Sequence, residues 1–259
     1  MAHEFNGREY EKASSHQKEW GSRMIEELDL RGDERILDLG CGDGALTAQL
    51  ARRVPRGSVL GIDASVGMIE TATKHAAENL RFERKDINAL DYADEFDVAF
   101  SNATLHWVKD HDNLLQRAHR ALRAQGVIRF NFAAAGNCSH FFRVVRQAMA
   151  RPEYSSRFLH FDWPWFMPTP EEYEDILQQS EFRDVRAWPE NADRFFPDTE
   201  AMIRWVEQPS LVPFLAHLGA ADRQPFRDFV VAQMIRATRL EDGRCFETFR
   251  RIHVSARKA

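Results

Sequence analysis

Three glycines at alternate positions, Gly40, Gly42 and Gly44, follow the short apolar run Arg35-Ile-Leu-Asp-Leu39. An acid, Asp38, stands two residues before the first of them, and a helical pattern with Leu46 and Leu50 on one face follows the last. Strand, glycine turn and helix in that order let the backbone come within touching distance of a ligand, because glycine accepts positive φ and has no Cβ in the way. A second apolar run, Ser58-Val-Leu-Gly-Ile-Asp63, closes on an acid 19 residues beyond Gly44. In nucleotide-binding α/β folds an acid at about that distance accepts hydrogen bonds from ribose hydroxyls. The glycine spacing narrows the ligand. A dinucleotide pyrophosphate is held by Gly-x-Gly-x-x-Gly, whereas here the third glycine comes one residue early, and no Lys-Ser/Thr pair follows as a phosphate loop needs. The pattern predicts a nucleoside that carries no phosphate.

With this turn the chain resembles the class I S-adenosylmethionine-dependent methyltransferases, whose first motif is an acid-x-Gly-x-Gly-x-Gly turn. Further segments resemble the family's other motifs in order. Asp63-Ala-Ser-Val-Gly-Met-Ile69 is similar to the second and Arg84-Lys-Asp-Ile87 to the third. Phe96-Asp-Val-Ala-Phe-Ser-Asn-Ala-Thr-Leu-His-Trp-Val108 is similar to the fourth, and Ala121-Leu-Arg-Ala-Gln-Gly-Val-Ile128 to the approach to strand five. The resemblance implies an α/β fold, a Rossmann-like seven-stranded sheet flanked by helices with a helical cap from C-terminal insertions, and S-adenosylmethionine as cofactor. It implies that Gly40, Cys41 and Gly42 offer backbone amides to the methionyl part, while Asp38 orders its ammonium group. Asp63, with Ala64 beside it, would take both ribose hydroxyls as a charge-assisted acceptor. Asp86 and the Ile87 amide would read the adenine edge, and Met68 and Ile87 would sandwich its ring, where a polarizable thioether suits an aromatic face. Ser101 and Asn102 end strand four, where ligands bind in open α/β sheets; one of the two would hold the cofactor's carboxylate or amino group, through backbone or side chain, and Tyr10 joins the cofactor set from the N-terminal segment.

The loop Leu105-His-Trp-Val108 stands where this superfamily puts its reacting group, and it lacks the Asn-Pro-Pro-aromatic signature of amine and amide methylation. The His106-Trp107 pair, with Phe5-Asn-Gly-Arg-Glu-Tyr10 and Gln17, resembles a narrower group, the trans-aconitate and juvenile-hormone-acid methyltransferases, which esterify free carboxylates. Met202-Ile-Arg-Trp-Val-Glu207 and Leu211-Val-Pro-Phe-Leu215 resemble the cap of the first of these. A carboxylate is ionised near neutral pH and needs no general base. The site then contributes proximity, in-line orientation and removal of water. Neutral donors suit the reacting carboxylate, since a cation would hold the ground state too tightly; the Trp107 indole and the Gln17 amide fit. His106 is a further donor or a core histidine. If the acceptor were instead a phenol, a quinone or a carbon, His106 would be the general base. A catalytically silent cofactor-binding protein is the non-enzyme alternative. Arg143, Arg146, Arg204 and Arg236 are candidate partners for a multiply charged acid, with surface positions the default for each, and the pair Arg250-Arg251 reads as a solvated strand end.

These residues need a scaffold, and alternating strand and helix patterns imply βαβ units with a parallel sheet. The periodicity predicts strands at 35–39, 58–62, 80–84, 97–101 and 126–132, with helices at 44–53, 65–76 and 111–122. Ser65 is an expected N-cap. Beyond 133 the rhythm changes. A helix from Phe141 to Met149 is followed by 158–168, a run of aromatics and prolines that excludes a regular helix or a central strand. Thr169 and Pro170 start a helix that runs to about Ser180. Residues 182–188 alternate as a sixth strand, 198–240 form a helical block interrupted by Pro209, Pro213 and Pro225, and 248–256 alternate as a last strand. The resemblance implies that this last strand inserts antiparallel between the fifth and sixth. The organisation expected is one domain over 1–259: an N-terminal lid or helix in 1–34, a cofactor-binding half in 35–132, and sheet completion in 133–259 with cap insertions around 138–170 and 198–240. Residues 5–20 are expected to close over the cofactor as a lid.

At 259 residues, 44% hydrophobic and 29% charged, the chain has the composition of an ordinary globular protein with a full core. A net charge of −5 argues against nucleic acid as the partner. Cys41, Cys138 and Cys245 show no C-x-x-C spacing, so neither a metal site nor a disulfide framework is expected, nor the thiol cluster of an arsenic methyltransferase. No run approaches the ~18 apolar residues of a membrane span. The expectation is a cytoplasmic protein, a monomer or weak homodimer, acting on a small-molecule acid.

Overall fold

The computed structural model describes residues 15–259, with side chains left aside at residues 15–17 and 209. Tyr10 and the segment from Phe5 lie outside the described residues, and of Gln17 only its place in the first helix is given. In chain order the elements are α1 (Ser15–Glu26), β1 (Arg35–Leu39), α2 (Ala45–Arg53), β2 (Ser58–Asp63), α3 (Val66–Ala72), β3 (Leu80–Arg84), β4 (Phe96–Asn102), α4 (His111–Ala121) and β5 (Leu122–Ala133). There follow α5 (Ser139–Met149), α6 (Pro170–Gln179), β6 (Arg183–Asn191), β7 (Arg194–Phe196), α7 (Thr199–Trp205), α8 (Val212–His217), α9 (Ala220–Thr238), β8 (Cys245–Glu247) and β9 (Arg250–Arg257). They form two compact units, one of residues up to Ala134 with Trp165–Glu190 and Arg251–Ala259, the other of Ala135–Pro164 and Asn191–Arg250. No described helix is long and apolar enough to cross a membrane.

The first unit is built on a seven-stranded sheet of order β3-β2-β1-β4-β5-β9-β6. Strands β1 to β5 pair in parallel, and β9 enters antiparallel against β5, as the resemblance implied. Central strands with helices on both faces read as near-continuous apolar runs, and β1 and β4 are buried over almost their whole length. One core contains Leu37, Leu39, Phe130, Phe132, Tyr173 and Ile252; a second contains Met24, Ile36, Leu50, Val98 and Phe100.

Local chemistry sets the helix limits. The Ser65 hydroxyl accepts the Met68 amide at 3.3 Å, making Ser65 the N-cap that its position predicts. Thr169 and Glu172 form a reciprocal capping box. The Asn79 side-chain amide closes the end of α2 by donating to the Ala51 and Val54 carbonyls at 2.9 and 3.0 Å.

Several elements differ from the periodicity reading. The helix expected over 65–76 stops at Ala72 and passes into a 3-10 turn at Thr73–His75. Thr71 and Thr73 turn their hydroxyls back onto the Gly67 and Ile69 carbonyls, competing for helix acceptors. Strand β5 begins at Leu122 rather than 126, with a register shift against β4 and Gln125 at φ +66°. Among the prolines expected to break the 198–240 block, Pro209 does lie in an irregular π turn, Val206–Ser210. Pro213 sits in the first turn of α8, where its missing N–H has no partner to lose. Pro225 lies inside α9, which continues through it to Thr238.

The second unit contains the β7–β8 pair, three residues each, too short for alternation to reveal. Its helix α5 packs against α9. The fully buried Glu247 serves the N-terminus of α5, where its carboxylate accepts the amides of His140 and Phe141 at 3.2 and 3.0 Å. Phe158, Phe161 and Trp163 pack against Phe214 in the same unit.

Candidate active site

Among the described residues, the glycine turn after β1 and the loop after β4 lie at the carboxyl edge of the parallel strands, where β1 and β4 are side by side. In open α/β sheets that edge is the ligand crevice. Leaving β1, the backbone takes φ +74° at Gly40, +56° at Gly42 and +80° at Gly44. The three positive angles have different reasons. A Cβ on Gly40 would meet the Thr104 side chain at 2.1 Å, and one on Gly44 would meet Ala72 at 2.9 Å, so both are packing glycines. A Cβ on Gly42 would meet nothing within 4 Å: this glycine faces open space, as a ligand cradle requires.

The turn does not present its amides as expected. Gly40 and Cys41 both donate to the Ile62 carbonyl at the end of β2, at 2.8 and 2.9 Å. The Gly42 amide donates to the Asp63 carboxylate at 3.0 Å, and the Ser65 amide donates to the other oxygen at 2.9 Å. Backbone donors of this kind are satisfied inside the protein because a glycine turn has no side chains to do it. Asp63 therefore shapes the turn, and as a carboxylate with about four acceptor sites it retains capacity for further donors. The Ala64 carbonyl accepts from Arg84 Nε at 3.3 Å.

Asp38 lies beneath the turn, 2% exposed, and the Thr47 hydroxyl donates to it at 2.7 Å. Burial, followed by the like charge of Asp63, pushes its pKa up to about 7; the Thr47 bond pulls the other way. Cys41 is buried, and burial with the neighbouring acids Asp38 and Asp63 pushes its thiol well up. A thiol held protonated is no nucleophile, in keeping with a small filler. Met68 and Ile87 are buried, and Asp86 is exposed, capping a short 3-10 turn by accepting the Asn88 amide at 2.8 Å.

Of the two residues that end β4, Ser101 turns its side chain inward. It is fully buried, and its hydroxyl donates to the Leu39 carbonyl at 2.7 Å, tying β4 to β1 rather than facing a ligand. Asn102 is 8% exposed, and α1 passes directly over it: a Cβ on Gly21 would stand 3.1 Å from its amide nitrogen. Lys18, also on α1, lies 2.6 Å from Asp43 in the glycine turn.

Beyond β4 the chain takes φ +58° at Ala103 and enters a 3-10 turn, Leu105–Trp107. Thr104 donates to the Gly40 carbonyl at 3.1 Å, holding this loop to the glycine turn. The His106 ring nitrogen Nδ1 is buried and has no hydrogen-bond partner among the described residues. Burial, then the positive charge of Arg251 and the nearby His111, push the His106 pKa down to about 3. The Trp107 ring lies 5.2 Å from that of Trp165, and the Phe166 amide donates to the His106 carbonyl at 2.8 Å. The last part of the aromatic 158–168 run thus supports the active-site loop.

Two features were missed in the sequence. His111 and Tyr173 buttress the loop from below, with His111 Nε2 donating to the Leu105 carbonyl at 3.1 Å. Arg251 is 3% exposed and not a solvated strand end; Arg250, by contrast, pairs with Asp193. The other four arginines considered, Arg143, Arg146, Arg204 and Arg236, are all exposed. A buried arginine in an alternating strand gives no signal of its own, because β9 places Ile252 and Val254 in the core on the opposite parity.

A glycine cradle open at Gly42, an acid closing β2 and an ordered loop after β4 define a class I S-adenosylmethionine-dependent methyltransferase, and the chain belongs to that family. Residues 30–160 match the family model described as methyltransferase domain. The chain is 36% identical over 200 residues to the trans-aconitate 2-methyltransferase of Deinococcus radiodurans, covering 75% of this chain and 76% of the relative. It is 33% identical over 245 residues to the enzyme of the same name from Mycolicibacterium gilvum, covering 90% and 91%. Among solved structures, the YcgJ protein from Bacillus subtilis superposes with a TM-score of 0.62 at 16% identity over 94% of this chain and 98% of that one, a likeness of fold alone. The protein is an enzyme, and its methyl donor is S-adenosylmethionine.

Proposed function

We propose that the enzyme esterifies a free carboxylate of a small-molecule acid of the trans-aconitate kind, by direct transfer without a general base. The observation that carries this reading is His106. A half-buried imidazole with its Nδ1 sealed from solvent and a pKa near 3 stays neutral through the physiological range and is a feeble proton acceptor. An acceptor that arrives already ionised removes the need for one. The names borne by the curated relatives point the same way.

When bound, S-adenosylmethionine supplies a methyl group made electrophilic by a sulfonium centre. The open cradle at Gly42, the Asp63 carboxylate and the buried pair Met68 and Ile87 fit a nucleoside without phosphate. Asp63 would receive the ribose hydroxyls, Asp86 the adenine amino group and Asp38 the ammonium. Asn102, at the end of β4, would hold the methionyl carboxylate or ammonium. Ser101 acts through the backbone it braces, and Cys41 through its size. On the acceptor side, the Trp107 indole donates to the reacting carboxylate and His106 orients it as a neutral ring. Gln17, on α1, completes the donor set, and Tyr10 joins the cofactor site from the preceding segment.

The test is a screen of carboxylic acids with methyl-labelled cofactor, scored by release of label in mild base. Esters surrender the label; ethers and C-methyl products retain it. With the cofactor saturating at every pH, so that titration of Asp38 does not enter, the rate should be flat with pH across neutrality. A base-stable product, or a rate that climbs through pH 6–7, would favour a phenol or carbon acceptor and overturn the proposal.

A further inference from the structure

The loop that follows β3 holds Asp86 and Ile87. It draws little support from the sheet, because β3 stands first in the strand order and has a neighbour, β2, on one side only among the described residues. A cluster of charges and one ring at the two ends of the loop supplies the rest. Lys85 opens the loop, with its side chain 17% exposed, and Asp91 closes it; between them lies the 3-10 turn Ile87–Ala89. The Lys85 ammonium donates to Asp91 at 2.5 Å and lies 3.2 Å from the Glu83 carboxylate. It stands over the Tyr92 ring, 4.3 Å from its centre, where an aromatic face attracts a cation. The Tyr92 hydroxyl donates to the other Glu83 oxygen at 2.9 Å, and its ring meets Phe96, the first residue of β4, edge to face at 5.4 Å.

The cluster is joined to the cofactor turn as well as to the core. The Lys85 backbone amide donates to the carbonyl of Asp63, the acid that closes β2, at 3.0 Å. Ile87 and Leu90 enter the main core of the first unit, and Arg117 of α4 donates to the Leu90 carbonyl. Hydrogen bonding to Asp91, against the opposing effect of burial, pushes the Lys85 pKa up, so the ammonium keeps its charge through the physiological range. A single exposed ion pair would hold a loop weakly, since solvent screens it. Here one half-buried ammonium serves two carboxylates and a ring, and with Asp91 it clasps the turn from both ends.

We infer that Lys85 is a positioning residue of the cofactor site: by clasping Asp91, Glu83 and Tyr92 it holds the turn at 86–89 in the shape that receives the adenine edge. The inference rests on the assignment of Asp86 and Ile87 to the adenine. Reading that edge takes one acceptor, the Asp86 carboxylate, and one donor, the Ile87 amide, and hydrogen bonds weaken steeply once their angles open. A turn fixed before the ligand arrives avoids the ordering cost that a loose one meets on binding. Arg117 and the buried Ile87 and Leu90 side chains keep the loop in the core without the clasp, so loss of Lys85 blurs the readout rather than unfolding the protein.

The experiment is calorimetry with two ligands, the demethylated cofactor and its hypoxanthine analogue, in which the amino group becomes a carbonyl and the neighbouring ring nitrogen a donor. The analogue reverses both hydrogen bonds, so the wild-type enzyme should prefer the adenine compound by about tenfold or more. Lys85→Met should lower affinity for the adenine compound by about tenfold and leave that for the analogue nearly unchanged, so that the preference largely disappears. Lys85→Arg, a cation able to pair and stack in the same place, should keep most of it. Asp91→Asn, at a side chain 73% exposed, should shift the preference the same way by a smaller factor, and it decides the matter if Lys85→Met does not fold. A preference that survives unchanged in the variants, or an equal loss of affinity for both ligands, overturns the inference and leaves Asp86 its role. Absence of preference in the wild type overturns the assignment of Asp86 and the inference together. No methyl acceptor is present in these titrations, so neither result depends on the carboxylate reading.

Discussion

The Tyr173 hydroxyl lies 2.9 Å from His111 Nδ1, deep in the first unit, with both rings essentially without solvent exposure. Since His111 Nε2 faces the Leu105 carbonyl, which can only accept, the proton sits on Nε2 and Nδ1 receives the Tyr173 hydroxyl hydrogen. Burial pushes the His111 pKa down to about 4, so this tautomer is neutral and fixed. Tyr173→Phe would leave a buried nitrogen without its donor, a loss of about 1–3 kcal/mol. Thermal melting should fall by several degrees with cofactor affinity little changed; an unaltered melting temperature would show that the pair does not brace the loop.

Asp38 gives a pH signature of stability. Its folded pKa, about 7, lies above its ordinary value of 3.8, so the folded state holds the proton more tightly than the unfolded chain. The associated stability is present in full below about pH 3.8 and is lost as pH rises through 7. Asp38→Asn cannot lose it, so the variant should gain stability relative to wild type between pH 4 and 7 in parallel denaturant titrations. If Asp38 faces the cofactor's ammonium, binding at pH 6–7 should also release a proton, which calorimetry in two buffers of different ionisation enthalpy would register.

His106 and His111 act in the opposite direction. Both folded pKa values, about 3 and about 4, lie below the ordinary 6.5. Their contribution to stability is present above pH 6.5 and lost as pH falls toward 4. His106→Gln should flatten part of that acid limb in the same denaturant titrations; an identical limb in variant and wild type would place His106 in contact with water.

Two neighbouring glycines should respond differently to alanine. Gly40→Ala drives a methyl group into Thr104 and should impair folding. Gly42→Ala has room but carries positive φ, a strain of about 1–2 kcal/mol. Its larger effect should appear in affinity for the demethylated cofactor, measured by calorimetry against melting temperature. Normal affinity in a folded Gly42→Ala protein would remove this glycine from the cradle.

Asp63→Ala should weaken cofactor binding by about 2–4 kcal/mol through loss of a charge-assisted acceptor. Because Asp63 also accepts the Gly42 and Ser65 amides, the turn should loosen even without ligand. Faster amide exchange at Gly42 and Ser65 in the free variant would report it, and unchanged affinity with an intact fold would mean the acid does not meet the ribose.

The cofactor half of this protein was legible because its chemistry is local: glycines, an acid at a strand end and a capping serine announce themselves within a few residues. The bracing role of the Ser101 hydroxyl was hidden for the complementary reason, since its partner, the Leu39 carbonyl, is 62 residues away and is brought near only by sheet formation. The same holds for the Gly40 and Cys41 amides, which the end of β2 claims before any ligand can. Arg251 was hidden by its neighbour Arg250, as two adjacent arginines on a strand face opposite ways and only pairing with β5 decides which is buried. The β7–β8 ribbon, at three residues a strand, offers no period to read.

The acid that serves the amino end of α5 lies 106 and 107 residues downstream of the amides it receives. During synthesis at about 5–20 residues per second, those amides and the apolar face of Phe141, Val144, Val145 and Ala148 wait on the order of 5–20 s for Glu247 and α9 to follow. The nascent second unit therefore passes through an interval in which a greasy helix has left the ribosome without its anchor, and slow codons upstream of Glu247 would lengthen its exposure to chaperones and proteases.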